Sequence, residues 1–196
     1  METLIITGES RDEIYQEIIP QIKALITKEN YYISDLSNVC AVLKEAFNFF
    51  WIGFYLHYDG QTLSLENAQS NIASTQFTDE APQSFIGDSL NDKTNEKLLL
   101  GPFQGPLACT SIAFGKGVCG AAWKERCSFL VPDVEAFPGH IACSSQSKSE
   151  VVIPLIASDG RFFGVLDVDS DQLNDFTDLD VRYLEELCAI ISDRLA

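Results

Sequence analysis

The sequence lacks the segments that direct a protein into or across a membrane. Its 196 residues contain no apolar run that approaches the roughly 20 residues a membrane-spanning helix needs. The first residues, METLIITGESRDEIYQEI, have no basic stretch followed by an apolar one, so no secretory signal is predicted. We therefore expect a cytoplasmic protein.

Basic residues are scarce as well. Lys and Arg number 13 against 29 Asp and Glu, which gives a formal net charge of −16. Such a surface repels phosphate backbones and anionic lipids, so neither nucleic acid nor a membrane is expected as a partner. The apolar share of 46% is sufficient for one globular domain over residues 1–196.

The cysteines show no metal-binding spacing. They are Cys40, Cys109, Cys119, Cys127, Cys143 and Cys188. No two of them are separated by two residues, the spacing typical of structural zinc sites, so no metal is predicted. Without a secretory signal, a disulfide scaffold is not expected either. The thiols are then either core residues, such as Cys40 and Cys188 on apolar helical stripes, or redox-active groups.

The spacing of apolar residues predicts an α+β fold. Helical periodicity indicates two N-terminal helices, the second starting from an N-cap at Ser34 or Asp35, and a closing helix capped by Thr177 or Asp178. About six short strands, with a small helix after GKG, lie between them and are joined mainly by hairpin turns. We expect a central antiparallel sheet flanked by helices.

One segment departs from the composition of the rest. Residues 66–96 are rich in Asn, Ser, Gln, Thr and Asp. Such a segment buries little apolar surface, so we interpret it as a mobile insertion within one hairpin rather than a domain boundary.

Two predicted strands carry side chains that suggest a binding site. In WIGFYL, alternation places Trp51 and Tyr55 on one face, and the glycine between them leaves space above the strand. In GVLDVDS, Asp167 and Asp169 share a face, and Glu150 begins the neighbouring strand. Plain core packing and solvated acids are the simpler interpretations. If the three acids converge, they raise one another's pKa, which keeps one protonated near neutral pH.

Two cysteines lie in glycine-rich or polar surroundings. Cys119 is in GKGVCG, near the start of the predicted small helix, and Cys143 follows GHIA. The thiolate is the nucleophilic form of cysteine, and helix N-termini or nearby cations stabilise it. His140, three residues before Cys143, is either a structural residue or an aid to catalysis. Spacing alone does not show that the two thiols meet.

Together these segments resemble one enzyme family. WIGFYL, LGPFQGPLACTSIAFGKGVCGAA, VPDVEAFPGHIACSSQSKSEVVIPL and GVLDVDS are similar to the free methionine-(R)-sulfoxide reductases, small enzymes built on a single GAF domain. The similarity covers nearly the whole chain apart from the polar insertion. It implies a GAF sheet with helices on one side and ligand-covering loops on the other, without a cofactor. Members of this family often form homodimers.

The resemblance also implies a role for each matched residue. Cys143 attacks the sulfur of free L-methionine-(R)-sulfoxide, methionine leaves, and a sulfenic acid remains. Cys119, or else Cys109, condenses with it to a disulfide, which thioredoxin or a similar dithiol reduces. Three acids hold the ammonium group and supply a proton, and two aromatic residues receive the S-methyl group. These substrate-binding residues are Glu150, Asp167, Asp169, Trp51 and Tyr55. Cys127 matches no motif of the family.

Two other functions remain open at this point. The leading alternative is a GAF module that senses a small ligand without turnover, although such modules are usually fused to an output domain. A thiol peroxidase would use the same cysteines but would need no site for an ammonium group, so the acids argue against it. Turnover of each oxidant distinguishes these functions.

Overall fold

The computed structural model describes residues 3–60, 95–141 and 144–196. The predicted insertion, except its last two residues, lies outside these ranges. The described residues form an antiparallel sheet flanked by helices, which confirms the predicted fold class. The elements are α1 (Arg11–Leu25), α2 (Tyr32–Phe47), β1 (Trp51–Tyr58), β2 (Lys97–Gln104), β3 (Ser111–Ala113), α3 (Gly117–Glu125), β4 (Phe129–Val131), a 3-10 turn (Val134–Ala136), β5 (Ser149–Ile156), β6 (Phe162–Ser170) and α4 (Asp178–Leu195). Across the described ranges, we find no helix with both the length and the apolar character needed to span a bilayer.

The sheet brings strands from distant parts of the chain side by side. Its order is β3-β2-β1-β6-β5-β4, and every neighbouring pair is antiparallel. Strand β6 lies between β1 and β5. The aromatic strand near residue 50 therefore becomes a direct neighbour of the acidic strand near residue 168.

The two faces of the sheet are covered differently. One face contributes Ile52, Phe54 and Leu166 to a large core that includes side chains of α1, α2 and α4. The opposite face contributes Tyr55 and Val165 to a smaller cluster with side chains of α3. This division confirms the alternation predicted for β1. Because each fully buried large apolar side chain stabilises a fold by about 1.5–3 kcal/mol, the larger core supplies most of the hydrophobic stabilisation.

Helix α2 begins earlier than the sequence predicts. The predicted N-cap at Ser34 or Asp35 is wrong, because the helix starts at Tyr32 with Tyr31 as its N-cap. The Tyr32 ring is 2% exposed, so tertiary packing holds a first turn that has no side-chain cap. Asp35 is used instead in a buried ion pair, with its Oδ2 atom 3.1 Å from Nη2 of Arg194 on α4.

Candidate active site

A cavity on the α3 face of the sheet collects most of the residues singled out from the sequence. Its volume is about 300 Å³. Seven of the eight predicted site residues line it: Trp51, Tyr55, Cys109, Cys119, Glu150, Asp167 and Asp169. The eighth, Cys143, lies outside the described residues. Acidic, aromatic and sulfur groups therefore meet in one place, while the individual role of each stays a prediction.

The register of the sheet aligns the three acids with the aromatic strand. Asp169 on β6 is paired with Trp51 on β1 and with Glu150 on β5. These three residues form one row across the sheet. Asp167 lies on the same face, opposite Gly53. Directly opposed side chains have Cβ atoms about 4.5–5.5 Å apart, so the convergence of the acids follows from strand pairing.

A glycine in β1 makes room for a wall of aromatic rings. A Cβ atom on Gly53 would lie 2.4 Å from Cη2 of Trp51 and 2.5 Å from Cβ of Phe103. The space predicted above this glycine is therefore filled by the indole of Trp51 itself. That ring stacks on Tyr55 and Phe103, with centroids 5.9 and 5.6 Å apart. Phe103 was not identified from the sequence, because nothing in GPFQG indicates that this ring faces β1.

The aromatic wall is hydrogen-bonded to the segment that carries Cys109, residues 105–109, which we call the cysteine segment. Nε1 of Trp51 donates to the carbonyl oxygen of Pro106 at 3.1 Å. The hydroxyl of Tyr55 donates to the carbonyl oxygen of Cys109, also at 3.1 Å. Buried polar groups need such partners, and both side chains are buried. The wall therefore holds the backbone of the cysteine segment in position.

Two of the three acids are buried, and no cation of the described residues neutralises the group. Glu150 and Asp167 are 6% and 7% exposed, and no basic side chain among the described residues forms an ion pair with them or with Asp169. Burial raises the pKa of Glu150 and of Asp167 well above its usual range, and the charges of the neighbouring acids raise it further. Burial raises the pKa of Asp169 to about 6. The group therefore retains at least one proton at neutral pH.

Ser147 is a site residue that the sequence did not reveal. It lines the cavity, and its hydroxyl donates a hydrogen bond to Oδ1 of Asp169. This hydrogen bond lowers the pKa of Asp169 and so opposes the effect of burial. In SSQSKSE it is one of several serines, and no pattern of residue types separates it from its neighbours.

The two described cysteines of the cavity differ in state. Cys119, in the first turn of α3, is a free thiol and 4% exposed. Burial, and then the charges of Asp167 and Glu150, raise the pKa of Cys119 well above its usual range. Its thiol is therefore protonated and hydrogen-bonded to Asp167. Cys109 is disulfide-bonded. His140 borders the same cavity, and burial lowers its pKa.

Asp167→Asn is expected to stabilise the protein at pH 8 by about 1–3 kcal/mol, because it replaces a buried acid that has an unpartnered oxygen with a neutral side chain of similar shape. The pKa of Asp167 is higher in the folded protein than in the unfolded chain. The folded state therefore binds the proton more tightly, and this contribution to stability is lost as pH rises through the folded pKa. The advantage of the variant should thus shrink at pH 5. Thermal unfolding at both pH values measures it.

Asp171→Asn provides the matched control for this experiment, because it makes the same chemical change at an exposed position. Its effect should stay within about 0.5 kcal/mol at both pH values. The difference in free energy of unfolding between Asp167→Asn and the parent protein is measured at each pH. If this difference favours the variant less at pH 8 than at pH 5, the ionised form of Asp167 is not what destabilises the parent protein.

Comparison with known proteins places this chain in a family. Residues 36–196 match the family model of the GAF domain. The chain is 44% identical to GAF domain-containing protein A of Dictyostelium discoideum, over 98% of this chain and 99% of that protein. It is 34% identical to the free methionine-R-sulfoxide reductase of Escherichia coli strain K12, over 95% of this chain and 92% of that enzyme.

A solved structure agrees with both matches. The X-ray structure of the free methionine-R-sulfoxide reductase from Neisseria meningitidis, in complex with its substrate, superposes with a TM-score of 0.77 at 41% identity. The match covers 100% of this chain and 96% of that one. The chain therefore belongs to the GAF domain family and, within it, to the free methionine-R-sulfoxide reductases.

Proposed function

We propose that this protein reduces free L-methionine-(R)-sulfoxide to L-methionine by thiol chemistry. The observation that carries the proposal is the composition of the cavity, where buried acids, an aromatic wall and two cysteines line one space of about 300 Å³. Near full-length similarity to reductases named for this substrate supports it. Each part of the cavity suits one part of a free amino acid that carries a sulfoxide.

The acids suit the ammonium group. An ammonium has three hydrogen-bond donors and a positive charge, and no basic side chain in the described part of the chain supplies such a charge to these acids. The Oδ1 atom of Asp167 is buried and has no hydrogen-bond partner among the described residues. A buried oxygen without a hydrogen-bond donor costs about 1–3 kcal/mol. An N–H donor of the substrate's ammonium group removes this cost.

The aromatic wall suits the sulfur end of the substrate. Trp51 and Tyr55 are 4% and 1% exposed, and their stacked rings border the cavity. Sulfur and its methyl group make favourable contacts with aromatic rings. A substrate held by its ammonium at the acids can therefore rest its S-methyl group against the wall.

Cys143 is the proposed nucleophile. Its thiolate attacks the sulfoxide sulfur, and the oxygen is transferred to Cys143 as a sulfenic acid while methionine leaves. The substrate sulfur is reduced by two electrons and the Cys143 sulfur is oxidised by two. The transferred oxygen needs one proton, and the raised pKa of Glu150 and of Asp167 makes either one a donor at neutral pH.

Resolution of the sulfenic acid needs a second thiol, Cys109 or Cys119. Condensation forms a disulfide and releases water, and an external dithiol such as thioredoxin then reduces the disulfide. Two differences favour Cys109 over Cys119 as the resolving thiol. It is only partly buried and already disulfide-bonded, whereas burial raises the pKa of Cys119 and keeps its thiol protonated.

Turnover with a small dithiol tests the proposed function directly. With dithiothreitol as reductant, free methionine-(R)-sulfoxide should be converted to methionine over many cycles, because the disulfide is regenerated without a protein partner. The S epimer should be inactive, since it places the methyl group and the oxygen in exchanged positions. Consumption of hydrogen peroxide without reduction of either epimer would instead identify a thiol peroxidase. Saturable binding of the sulfoxide without turnover would identify a sensor module.

A further inference from the structure

Three of the cavity's side chains are arranged as a set of metal ligands. The Sγ atom of Cys119 and one carboxylate oxygen each from Glu150 and Asp167 all lie within 4.8 Å of one another. Ligand atoms around a tetrahedral zinc ion are separated by about 3.5 Å, as its bond lengths of about 2.0–2.3 Å require. A contraction of about 1 Å would bring the three atoms into coordination distance. All three side chains are at least nine-tenths buried.

A separate observation is that one oxygen atom of this cluster lacks a partner. Asp167 lines the cavity, and its Oδ1 atom is fully buried and has no hydrogen-bond partner in the described part of the chain. The described basic residues along the cavity are Lys116 and His140, and neither forms an ion pair with the cluster. An unpaired buried carboxylate is unfavourable. The substrate's ammonium would relieve it, but only while the substrate is bound.

The ligand types select among cations. Mg²⁺ and Ca²⁺ prefer oxygen ligands alone, and Cu⁺ prefers sulfur. One thiolate with two carboxylates matches a borderline cation that accepts both, and Zn²⁺ is the common one. Three protein ligands leave the fourth tetrahedral position for a water molecule.

We propose that the reduced, substrate-free protein binds one Zn²⁺ ion through Cys119, Glu150 and Asp167. The thiol of Cys119 and any protonated acid among the ligands release their protons to solvent as the bonds to zinc form, and no redox change takes place. The bound ion occupies the region of the acids, so it excludes the ammonium group of the substrate. Zinc therefore acts as a competitive inhibitor of sulfoxide reduction, a consequence that rests on the proposed function, whereas zinc binding itself does not.

The first test measures metal binding without turnover. Co²⁺ replaces Zn²⁺ in such sites, and a thiolate ligand gives it a sulfur-to-cobalt charge-transfer absorption in the near ultraviolet. Reduced protein should show this band at one equivalent of Co²⁺, and Zn²⁺ should abolish it. Cys119→Ser should remove the band. Glu150→Gln and Asp167→Asn should each weaken Zn²⁺ binding at least about tenfold, measured by competition with a chromophoric chelator.

Control variants identify the thiol responsible. Cys127→Ser should keep the band, because Cys127 is an exposed free thiol outside the cavity. Cys109→Ser and Cys143→Ser should keep it too. Loss of the band in either of these two variants, or its persistence in Cys119→Ser, would overturn the proposed site. So would the absence of Zn²⁺ binding at about 100 µM free metal, well above the range of specific zinc sites.

The second test separates this proposal from the proposed function. In steady-state assays with a reductant that does not bind metals, Zn²⁺ should raise KM for free methionine-(R)-sulfoxide and leave kcat unchanged. Purely noncompetitive inhibition would overturn the placement of the ion at the acids. A protein that binds Co²⁺ through Cys119 yet reduces no sulfoxide would retain the metal site and lose the proposed function. A protein that reduces the sulfoxide but binds no metal would retain the proposed function and lose the metal site.

Discussion

Substitution of Cys143 by serine is expected to lower kcat/KM for free methionine-(R)-sulfoxide by at least about a thousandfold. A hydroxyl group is a far weaker nucleophile toward sulfur than a thiolate at neutral pH, and it cannot form a sulfenic acid. The folded variant should therefore release no methionine even in a single turnover without reductant. Methionine released per protein molecule measures this directly.

The two described cysteines of the cavity, Cys109 and Cys119, provide the informative controls. Cys109→Ser and Cys119→Ser should each still release about one methionine per protein without reductant, because their thiols act only after the sulfenic acid has formed. With dithiol present, the variant that lacks the main resolving thiol should cycle more slowly. Cys127→Ser, at an exposed position, should behave like the parent protein. If Cys143→Ser kept its first turnover and Cys109→Ser lost it, the two roles would have to be exchanged.

Free methionine-(R)-sulfoxide is expected to exceed its N-acetyl derivative in kcat/KM by about a thousandfold. Acetylation removes the positive charge, adds bulk and leaves a buried carboxylate unpaired among Glu150, Asp167 and Asp169. An oxidised methionine inside a protein should be a still poorer substrate, because a cavity of about 300 Å³ has no room for its neighbouring residues. Steady-state rates with one dithiol reductant for the free, acetylated and protein-bound forms test this expectation.

A charge-removing variant makes this second prediction specific. In Asp169→Asn, the rate for the free amino acid should fall more than the rate for the acetylated form, which narrows the ratio between them. An unchanged ratio would show that Asp169 does not contribute to ammonium recognition. Similar rates for the free and acetylated substrates in the parent protein would refute recognition by the acids altogether.

The sequence predicted the elements of the fold where local chemistry determines them. Alternation along β1 predicted that Trp51 and Tyr55 share one face, and both lie in the smaller cluster while Ile52 and Phe54 lie in the larger core. The cap of α4 was also predictable, since Thr177 and Asp180 form a reciprocal capping box. The start of α2 was not predictable, because the buried ring of Tyr32, rather than a capping side chain, holds its first turn.

The candidate site shows the same division between local and long-range information. Alternation along β6 predicted that Asp167 and Asp169 share a face. Their alignment with Trp51 required the β1–β6 register, which no single segment encodes. The hydrogen bond between Cys119 and Asp167 likewise joins a helix and a strand that are nearly 50 residues apart. The three proposed zinc ligands come from separate segments, so the spacing of cysteines along the chain does not reveal them.

The two hydrogen bonds between the aromatic wall and the cysteine segment can couple ligand binding at the wall to disulfide formation at Cys109. A ligand resting on Trp51 and Tyr55 and a covalent bond made at Cys109 act on the same backbone, through the carbonyl oxygens of Pro106 and Cys109. When two binding or bonding events are coupled, each changes the equilibrium of the other by the same factor. The factor by which disulfide formation changes the affinity for methionine equals the factor by which methionine changes the disulfide equilibrium. In the proposed mechanism, the reduction potential of the Cys109 disulfide would therefore depend on the concentration of methionine, to the extent that oxidation moves the wall.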